Sequence, residues 1–286
     1  MRINPYSLPD PGEVFIERDA GPFAGIMNTI YNVPTAKTLR ALSVDPAQKT
    51  LFMIPAGQSN AVNICPTKYT PVNPTAIDNF NPFTGLNYAA TDVLLGCATL
   101  DTGTFCANHC LRVADNLVSS AKFNRVIIAP TAISGTNIIH WSPETDALGC
   151  YRTIQSTYLK ALAQGFSVNT PGLYFLVYWV QGESDTRDGT SQSAYTNSFN
   201  AMKGAIQAYI PNCKILVSRC SWFIGSVSSA VQNAQTAVVD NVTVFAGGNL
   251  DSIDASGRQG DNTHFNDAGA ATAASLSATA IQAITF

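Results

Sequence analysis

The stretch that decides the fold is Leu51-Phe52-Met53-Ile54, followed by Pro55-Ala56-Gly57-Gln58-Ser59-Asn60. The four apolar residues predict a buried strand, and the Pro55-Ala56 step predicts its end. A strand that delivers a serine into a glycine-containing turn places a hydroxyl at the carboxyl edge of a sheet, where open α/β folds bind ligands. Ser59 is therefore a candidate nucleophile, provided that the chain also supplies a base and an oxyanion site.

Outward from this stretch, the sequence alternates between helical periodicity and short apolar runs. Apolar residues recur at helical spacing over four segments: Thr104 to Ala121, Leu148 to Leu162, Tyr195 to Tyr209 and Val227 to Val238. Each segment is followed by an apolar run: Val126–Ala129, Leu173–Val180, Ile215–Val217 and Val242–Ala246. Five strands alternating with helices predict one five-stranded parallel sheet covered on both faces, and the alanine-rich tail from Asp267 to Ile284 predicts a closing helix.

The domain organisation follows from where this alternation begins. Residues 1–48 contain six prolines and few apolar repeats, so we expect an irregular N-terminal lead-in, and we expect residues 49–286 to form one domain. Between Ser59 and about residue 90 the chain is rich in proline and asparagine. That composition predicts loops, which either shape a binding site or serve only as surface connections.

Composition narrows the function classes. The 286 residues carry a net charge of only −3, 12% of them are charged, and no basic cluster stands out, which argues against a nucleic-acid partner. No run is long and apolar enough to span a membrane, and we expect no signal peptide. The seven cysteines form an odd set whose pairing stays open, and the oligomeric state is equally open. Few lysines and many small polar residues weakly favour an extracellular or virion-associated protein over a cytoplasmic one.

Polar residues follow the predicted strands, and in a parallel sheet these segments gather at one edge. After the first strand comes Ser59, and the later segments are Ser134-Gly135-Thr136, Gln181-Gly182-Glu183-Ser184-Asp185 and Asp261-Asn262-Thr263-His264. His264 can accept the Ser59 proton and return it to a leaving alcohol, while Asp261 can hold the ring tautomer. We therefore expect these distant loops to converge on one site.

Four blocks of residues, in their order along the chain, resemble the SGNH hydrolases, and most closely the sialate O-acetylesterase-like and acetylxylan esterase branch. The blocks are GQSN, SGT followed by Trp141, QGESD and DNTH. The resemblance spans about residues 51–284. It implies a flavodoxin-like three-layer α/β/α domain and a serine esterase that uses no metal or other cofactor. It also implies that acetylated carbohydrate is the substrate and that O-acetyl groups are removed from it.

Carried over block by block, the resemblance implies Ser59 as nucleophile, His264 as base and Asp261 as its partner. The oxyanion donors would be the backbone N–H groups of Ser59 and Gly135 and the side-chain amide of Gln181. Many SGNH hydrolases have asparagine where this chain has Gln181, but the longer glutamine, itself a feature of the branch named above, can still donate a hydrogen bond.

Further residues of these blocks would support the site. Asn60 closes the first block, Glu183 would hold the loop that aims Gln181, and Asp185 would cap the next helix. Ser134 stands where the branch often has a second glycine, which loosens the match around the Gly135 donor. Glu183 and Asp185 are poorly spaced for a glycosidase pair, whose carboxylates must flank the scissile bond.

Other residues keep two interpretations each. His109 lies beside Cys106 and Cys110, a spacing that suggests metal, but no second ligand pair follows and a buried helical histidine is favoured. His140 could lie near substrate or pack in the interior. Three aromatic residues could stack on a sugar ring, although aromatic side chains more often pack in a core: Trp141, Tyr69 and Tyr88.

The leading hypothesis is a carbohydrate O-acetylesterase that works through an acetyl-enzyme. One alternative is a non-catalytic glycan-binding module on the same fold, against which the intact serine, histidine and aspartate argue. Another is a lipase or thioesterase of the same superfamily, which would need a long apolar acyl pocket. The native sugar stays open, because xylan, sialic acid and capsular polysaccharides present similar acetylated hydroxyls.

Overall fold

The computed structural model describes residues 37–97, 105–144 and 149–286. Within them the strands are β1 (Thr50–Gly57), β2 (Ile77–Phe80), β3 (Asn87–Ala89), β4 (Arg125–Ile128), β5 (Leu173–Val180), β6 (Lys214–Arg219) and β7 (Val244–Asn249). The α-helices are α1 (His109–Ser119), α2 (Tyr151–Ala163), α3 (Glu183–Asp188), α4 (Gln192–Tyr209), α5 (Ser229–Ala237) and α6 (Asp267–Gln282). No helix in these ranges is both long enough and apolar enough to cross a membrane.

The sheet of the described residues has the order β3-β2-β4-β1-β5-β6-β7, and every neighbouring pair except β2 and β3 is parallel. The five strands predicted from the sequence are β1, β4, β5, β6 and β7. Numbered among themselves, they have the order 2-1-3-4-5 of a flavodoxin-like sheet. The chain reverses its direction of winding between β1 and β5, and in such sheets ligands bind outside the carboxyl ends at that point.

The predicted strand count of five is wrong, because β2 and β3 extend the sheet where the sequence predicted only loops. These strands are short, and β2 carries two polar residues that face the interior. Asp78 is fully buried between Arg40, at 2.9 Å, and Arg125, whose Nε lies at 2.7 Å. Asn79 is bound to the backbone of Leu95. A buried strand with such polar residues can be predicted only when the partners of those residues are known.

The three layers follow from the alternation of side chains along the strands. In β1, Leu51 and Met53 pack into one core and Phe52 and Ile54 into the other. The first core is closed by α1 and α6, and the second by α2, α4 and α5. Because a parallel sheet is covered on both faces, its strands are apolar at successive positions, which is why the sequence predicted them well.

The helices match their predicted periodicity, and the strand ends differ slightly. Thr104, Leu148 and residues 1–36 of the predicted lead-in lie outside the described residues. The described part of that lead-in runs beside β3, where the Ala89 N–H donates to Thr38 O and the Arg40 N–H to Asn87 O, both at 2.8 Å. Strand β1 does not end at the Pro55-Ala56 step but continues to Gly57, paired with β5.

Candidate active site

The turn that presents Ser59 depends on a glycine. Gly57 ends β1 with φ +116°, and a Cβ there would lie 2.1 Å from the carbonyl oxygen of Val180 on β5. Only glycine fits this close approach and this backbone conformation. Ser59 follows at the start of a 3-10 turn and keeps 6% of its surface exposed. The hydroxyl therefore lies at the carboxyl edge of the sheet, as the sequence predicted.

Ser59, His264 and Asp261 form one hydrogen-bonded series. His264 Nε2 lies 2.8 Å from Ser59 Oγ, and His264 Nδ1 lies 2.5 Å from Asp261 Oδ2. Asp261 Oδ1 also accepts the backbone N–H groups of Thr263 and His264 at 2.9 and 3.0 Å. Partial burial raises the pKa of Asp261, but these hydrogen bonds outweigh it and hold the pKa below its ordinary value. The carboxylate is thus kept ionised against the ring.

Asn60 connects the turn that carries Ser59, here called the serine turn, to the Asp261–His264 segment, here called the histidine loop. Its Oδ1 accepts the Phe265 N–H at 3.2 Å, and its Nδ2 donates to Thr263 O at 3.4 Å, so it binds both neighbours of His264. Nδ2 also donates to Glu183 Oε1 at 2.6 Å. Glu183 is fully buried, and burial raises its pKa. These contacts make Asn60 and Glu183 supports of the site, although Glu183 reaches it through Asn60 and not through Gln181.

Gln58 is a site residue that the sequence analysis missed. Its side-chain Oε1 accepts the backbone N–H groups of Ser184 at 3.0 Å and Gly182 at 3.3 Å. This glutamine therefore joins the loop after β1 to the loop after β5, on either side of the point where the winding reverses. Its place in the GQSN block was the available signal, since a buried polar residue beside a nucleophile needs partners.

The side-chain amide of Gln181 is placed differently from the prediction. Its Nε2 donates to Asp185 Oδ2, and it also contacts Gln58 Oε1 at 3.2 Å and Thr136 O at 3.3 Å. The side chain is fully buried, and its Oε1 has no partner among the described residues. Because both hydrogens of the amide have acceptors in the interior, the predicted oxyanion role of this side chain does not fit the structure.

Asp185 likewise differs from its predicted role as a helix cap. It is fully buried within α3, where its Oδ2 accepts the Gln181 amide and the Ile138 N–H at 3.0 Å. Burial raises the pKa of Asp185 to about 6. Asp185 therefore links the QGESD block to the segment that follows the SGT block. Since Asp185 and Glu183 are both enclosed, neither can flank a glycosidic bond.

Two backbone donors remain available at the site. Within the described part of the chain, the N–H groups of Ser59 and Gly135 have no acceptor. Gly135 has φ +77°, and the turn around it is held to the serine turn because the Ile133 N–H donates to Gly57 O at 2.9 Å. Unpaired N–H groups next to a nucleophile are the donors that an oxyanion requires.

Of the three aromatic residues considered for sugar stacking, Trp141 and Tyr88 are buried and Tyr69 is partly buried. Trp141 is fully buried, donates its indole N–H to Thr136 Oγ1 at 3.0 Å and packs edge-on against Trp179. The weak substrate-binding assignment of Trp141 is therefore wrong, because the ring offers no face to a ligand. Tyr88 is also buried, and Tyr69 is held by Asp115 at 2.6 Å.

The remaining histidines have local partners. His109 is fully buried, and its Nε2 lies 2.9 Å from the hydroxyl of Tyr178. His140 Nδ1 accepts the Asn137 N–H at 3.1 Å. Among residues 37–97, 105–144 and 149–286, no three His, Cys, Asp or Glu side chains are grouped so that they could hold a metal ion.

A serine, a histidine and a carboxylate in this geometry, at the carboxyl edge of a flavodoxin-like sheet, define a serine hydrolase of the SGNH type. A sequence model of the family described as "Carbohydrate esterase, sialic acid-specific acetylesterase" matches residues 49–283, and the chain belongs to that family. It is accordingly a carboxylic ester hydrolase of the carbohydrate acetylesterase class.

Solved structures agree on the fold. A protein from Arabidopsis thaliana is 18% identical with a TM-score of 0.56, and the match covers 83% of this chain and 100% of that one. A carbohydrate acetylesterase from Xanthomonas citri is 14% identical with a TM-score of 0.50, covering 82% of this chain and 56% of that one. At these identities the likeness is one of fold. No curated protein sequence matches the chain.

Proposed function

We propose that the chain removes O-acetyl groups from carbohydrate through an acetyl-enzyme on Ser59. His264 Nε2 takes the Ser59 proton as Oγ attacks the acetyl carbonyl carbon, and the N–H groups of Ser59 and Gly135 stabilise the resulting oxyanion. As the intermediate collapses, the C–O bond to the sugar breaks and His264 gives its proton to the leaving sugar oxygen. Water, activated by the same imidazole, then releases acetate.

Asp261 has a positioning and electrostatic role in this scheme. It accepts the Nδ1–H of His264, so Nε2 carries the lone pair that faces Ser59. When the ring becomes an imidazolium, the ionised carboxylate stabilises its positive charge. The observation that carries the proposal is the series of contacts at 2.8 Å and 2.5 Å that joins the serine to the imidazole and the imidazole to the carboxylate.

The test is hydrolysis of an aryl acetate by Ser59→Ala beside the matched variant Ser198→Ala. Ser198 is also 6% exposed but lies on α4, so removing its hydroxyl controls for loss of a buried serine. We expect Ser59→Ala to lose turnover by about 10⁴-fold or more. Ser198→Ala should keep wild-type turnover, and both variants should keep a wild-type thermal midpoint. Undiminished turnover by Ser59→Ala would contradict the serine mechanism.

Substrate class is tested with the wild-type enzyme. Acetate release is measured on acetylated xylan, O-acetylated sialic acid and a capsular polysaccharide, together with acetyl and octanoyl aryl esters. We expect release from at least one acetylated carbohydrate and a preference for the acetyl ester. Binding of an acetylated glycan without acetate release would favour a glycan-binding module, and a preference for the octanoyl ester would favour a lipase.

A further inference from the structure

The turn that follows β6 has an unusual residue at its tip. Phe223 and Ser226 exchange both backbone hydrogen bonds, at 2.8 and 3.0 Å, around Ile224 and Gly225. Ile224 has φ +46° and Gly225 has φ +78°, the positive pair of a two-residue hairpin turn that favours Asn, Asp or Gly at its first position. A β-branched residue is strained there, and such strain concentrates at functional sites. Since Ile224 is 62% exposed, core packing does not explain the isoleucine.

Residues 222–227, here called the Ile224 turn, are fixed at their base by one carboxylate. Asp251 accepts the Ser221 N–H and hydroxyl, both at 2.6 Å, and the Trp222 N–H at 2.9 Å. The base of the turn is thus bound to the segment after β7. A turn held by this many bonds presents its tip in a defined position at little entropic cost to a ligand.

The tip is fixed to the histidine loop. The Trp222 indole N–H donates to Asn262 O at 2.9 Å, and the Ile224 N–H donates to Thr263 Oγ1 at 3.0 Å. Thr263 is the residue before His264. The exposed Ile224 is therefore one hydrogen bond and one residue away from the imidazole, on the side of the site formed by the Asp261–His264 loop.

The chemistry of the proposed function decides which part of a substrate meets that side, so this step rests on that function. His264 must protonate the leaving oxygen, and the leaving alcohol therefore lies on the His264 side of Ser59. The acetyl oxygen lies toward the N–H groups of Ser59 and Gly135. The Ile224 turn thus borders the alcohol part of the ester and not the acetyl part.

We propose that the Ile224 turn is the subsite for the sugar ring that leaves, with Ile224 and Val227 in contact with its C–H face. Pyranose rings carry apolar C–H surfaces between their hydroxyls, and a rigid aliphatic tip can cover one without competing for hydrogen bonds. Val227 is 46% exposed in the same turn. The turn makes the enzyme selective for esters of ring-sized alcohols over esters of small alcohols.

The test uses Ile224→Asn, because asparagine tolerates positive φ and removes the apolar tip without adding strain. We measure kcat/KM on glucose pentaacetate, whose leaving alcohol contains a pyranose ring, and on methyl acetate, whose leaving alcohol has one carbon. The variant should lose about three- to tenfold on glucose pentaacetate, as expected for the loss of a partly buried aliphatic contact. It should stay within about twofold of wild type on methyl acetate and keep or raise the thermal midpoint.

The matched control is Val242→Asn. Val242 is 71% exposed and precedes β7, at the edge of the sheet opposite the site, so its loss should change neither ester. Wild-type kcat/KM of Ile224→Asn on glucose pentaacetate, or equal losses on both esters, would overturn the subsite. Failure of the serine mechanism is a separate result, because it appears as turnover that persists in Ser59→Ala.

Discussion

Among single residues, His109 makes a prediction about stability and pH. It is fully buried, and burial lowers its pKa to about 4, whereas an unfolded histidine titrates near 6.5. Between these values the unfolded chain binds a proton that the folded chain does not, so stability falls as the pH drops. His109→Phe should therefore remove about 2 kcal/mol of the destabilisation between pH 7.5 and pH 5. Urea unfolding of wild type and His109→Phe at pH 7.5 and pH 5 measures this difference in unfolding free energy.

Wild type must be compared with His109→Phe because other buried groups change the stability with pH in the opposite direction. Burial raises the pKa of both Asp92 and Asp185 to about 6, so the folded chain binds their protons first and their contribution to stability rises as the pH drops. These groups titrate alike in both proteins. The Tyr178 hydroxyl lies 2.6 Å from Ser277 Oγ, so it retains a hydrogen-bond partner when the imidazole is removed. An identical change in unfolding free energy for wild type and His109→Phe would contradict the prediction.

At this scale, the sequence could predict which residues meet but not every bond that they make. Ser59, Asp261 and His264 come together as predicted, because the segments that carry them follow parallel strands, and because the chain has only three histidines from which to choose the base. The family resemblance predicts Gln181 as an oxyanion donor, whereas in the structure its amide donates to Asp185. An amide has two donors and an acceptor, so its orientation depends on neighbours that a single sequence does not identify.

Among the elements, the approach of β1 to β5 at Gly57 makes the sharpest prediction. The Cβ of an alanine would lie 2.1 Å from Val180 O, and the backbone there has φ +116°. Neither the oxygen nor the strand that carries it can move without breaking the pairing of β1 and β5. We expect Gly57→Ala to lower the unfolding free energy by about 3 kcal/mol or more, measured by urea denaturation, and to reduce esterase turnover.

Gly204→Ala is the matched control for that substitution. Gly204 lies inside α4, and apart from the neighbouring backbone of its own helix no atom lies within 4 Å of the Cβ that would be added. Alanine there should raise the unfolding free energy by about 0.5–1 kcal/mol, because it lowers the entropy of the unfolded chain and favours helix. If Gly57→Ala unfolds within about 0.5 kcal/mol of wild type, the close approach does not constrain this position.

The elements also show where apolar patterning succeeds. Strands β1 and β5 are apolar at nearly every position because helices cover both faces, and the sequence located both. Strand β2 was missed because half of its residues are polar, and Asp78 is stabilised in the interior by Arg40 and Arg125, which are distant in the sequence. Such a strand depends on its partners more than on its own hydrophobicity.

For the whole molecule, parallel topology explains why convergence could be predicted at all. Each strand of the five-strand set runs in the same direction, so the segments after them must reach the same edge. The serine loop follows β1 and the Gln181 loop follows β5, its neighbour in the sheet. The strand order could not be read from periodicity, because apolar runs do not say which strand each will pair with.

The seven cysteines allow a test of the whole interior. All of them are buried free thiols, and burial raises the pKa of Cys65, Cys97 and Cys213 to about 12. The thiolate is the reactive species. In native protein at pH 8, fewer than about one thiol per chain should therefore react with a chromogenic disulfide reagent within minutes. In guanidinium without reductant, all seven should react. A denatured count below seven would indicate a disulfide, and rapid reaction of several thiols in the native protein would contradict the packing of both cores.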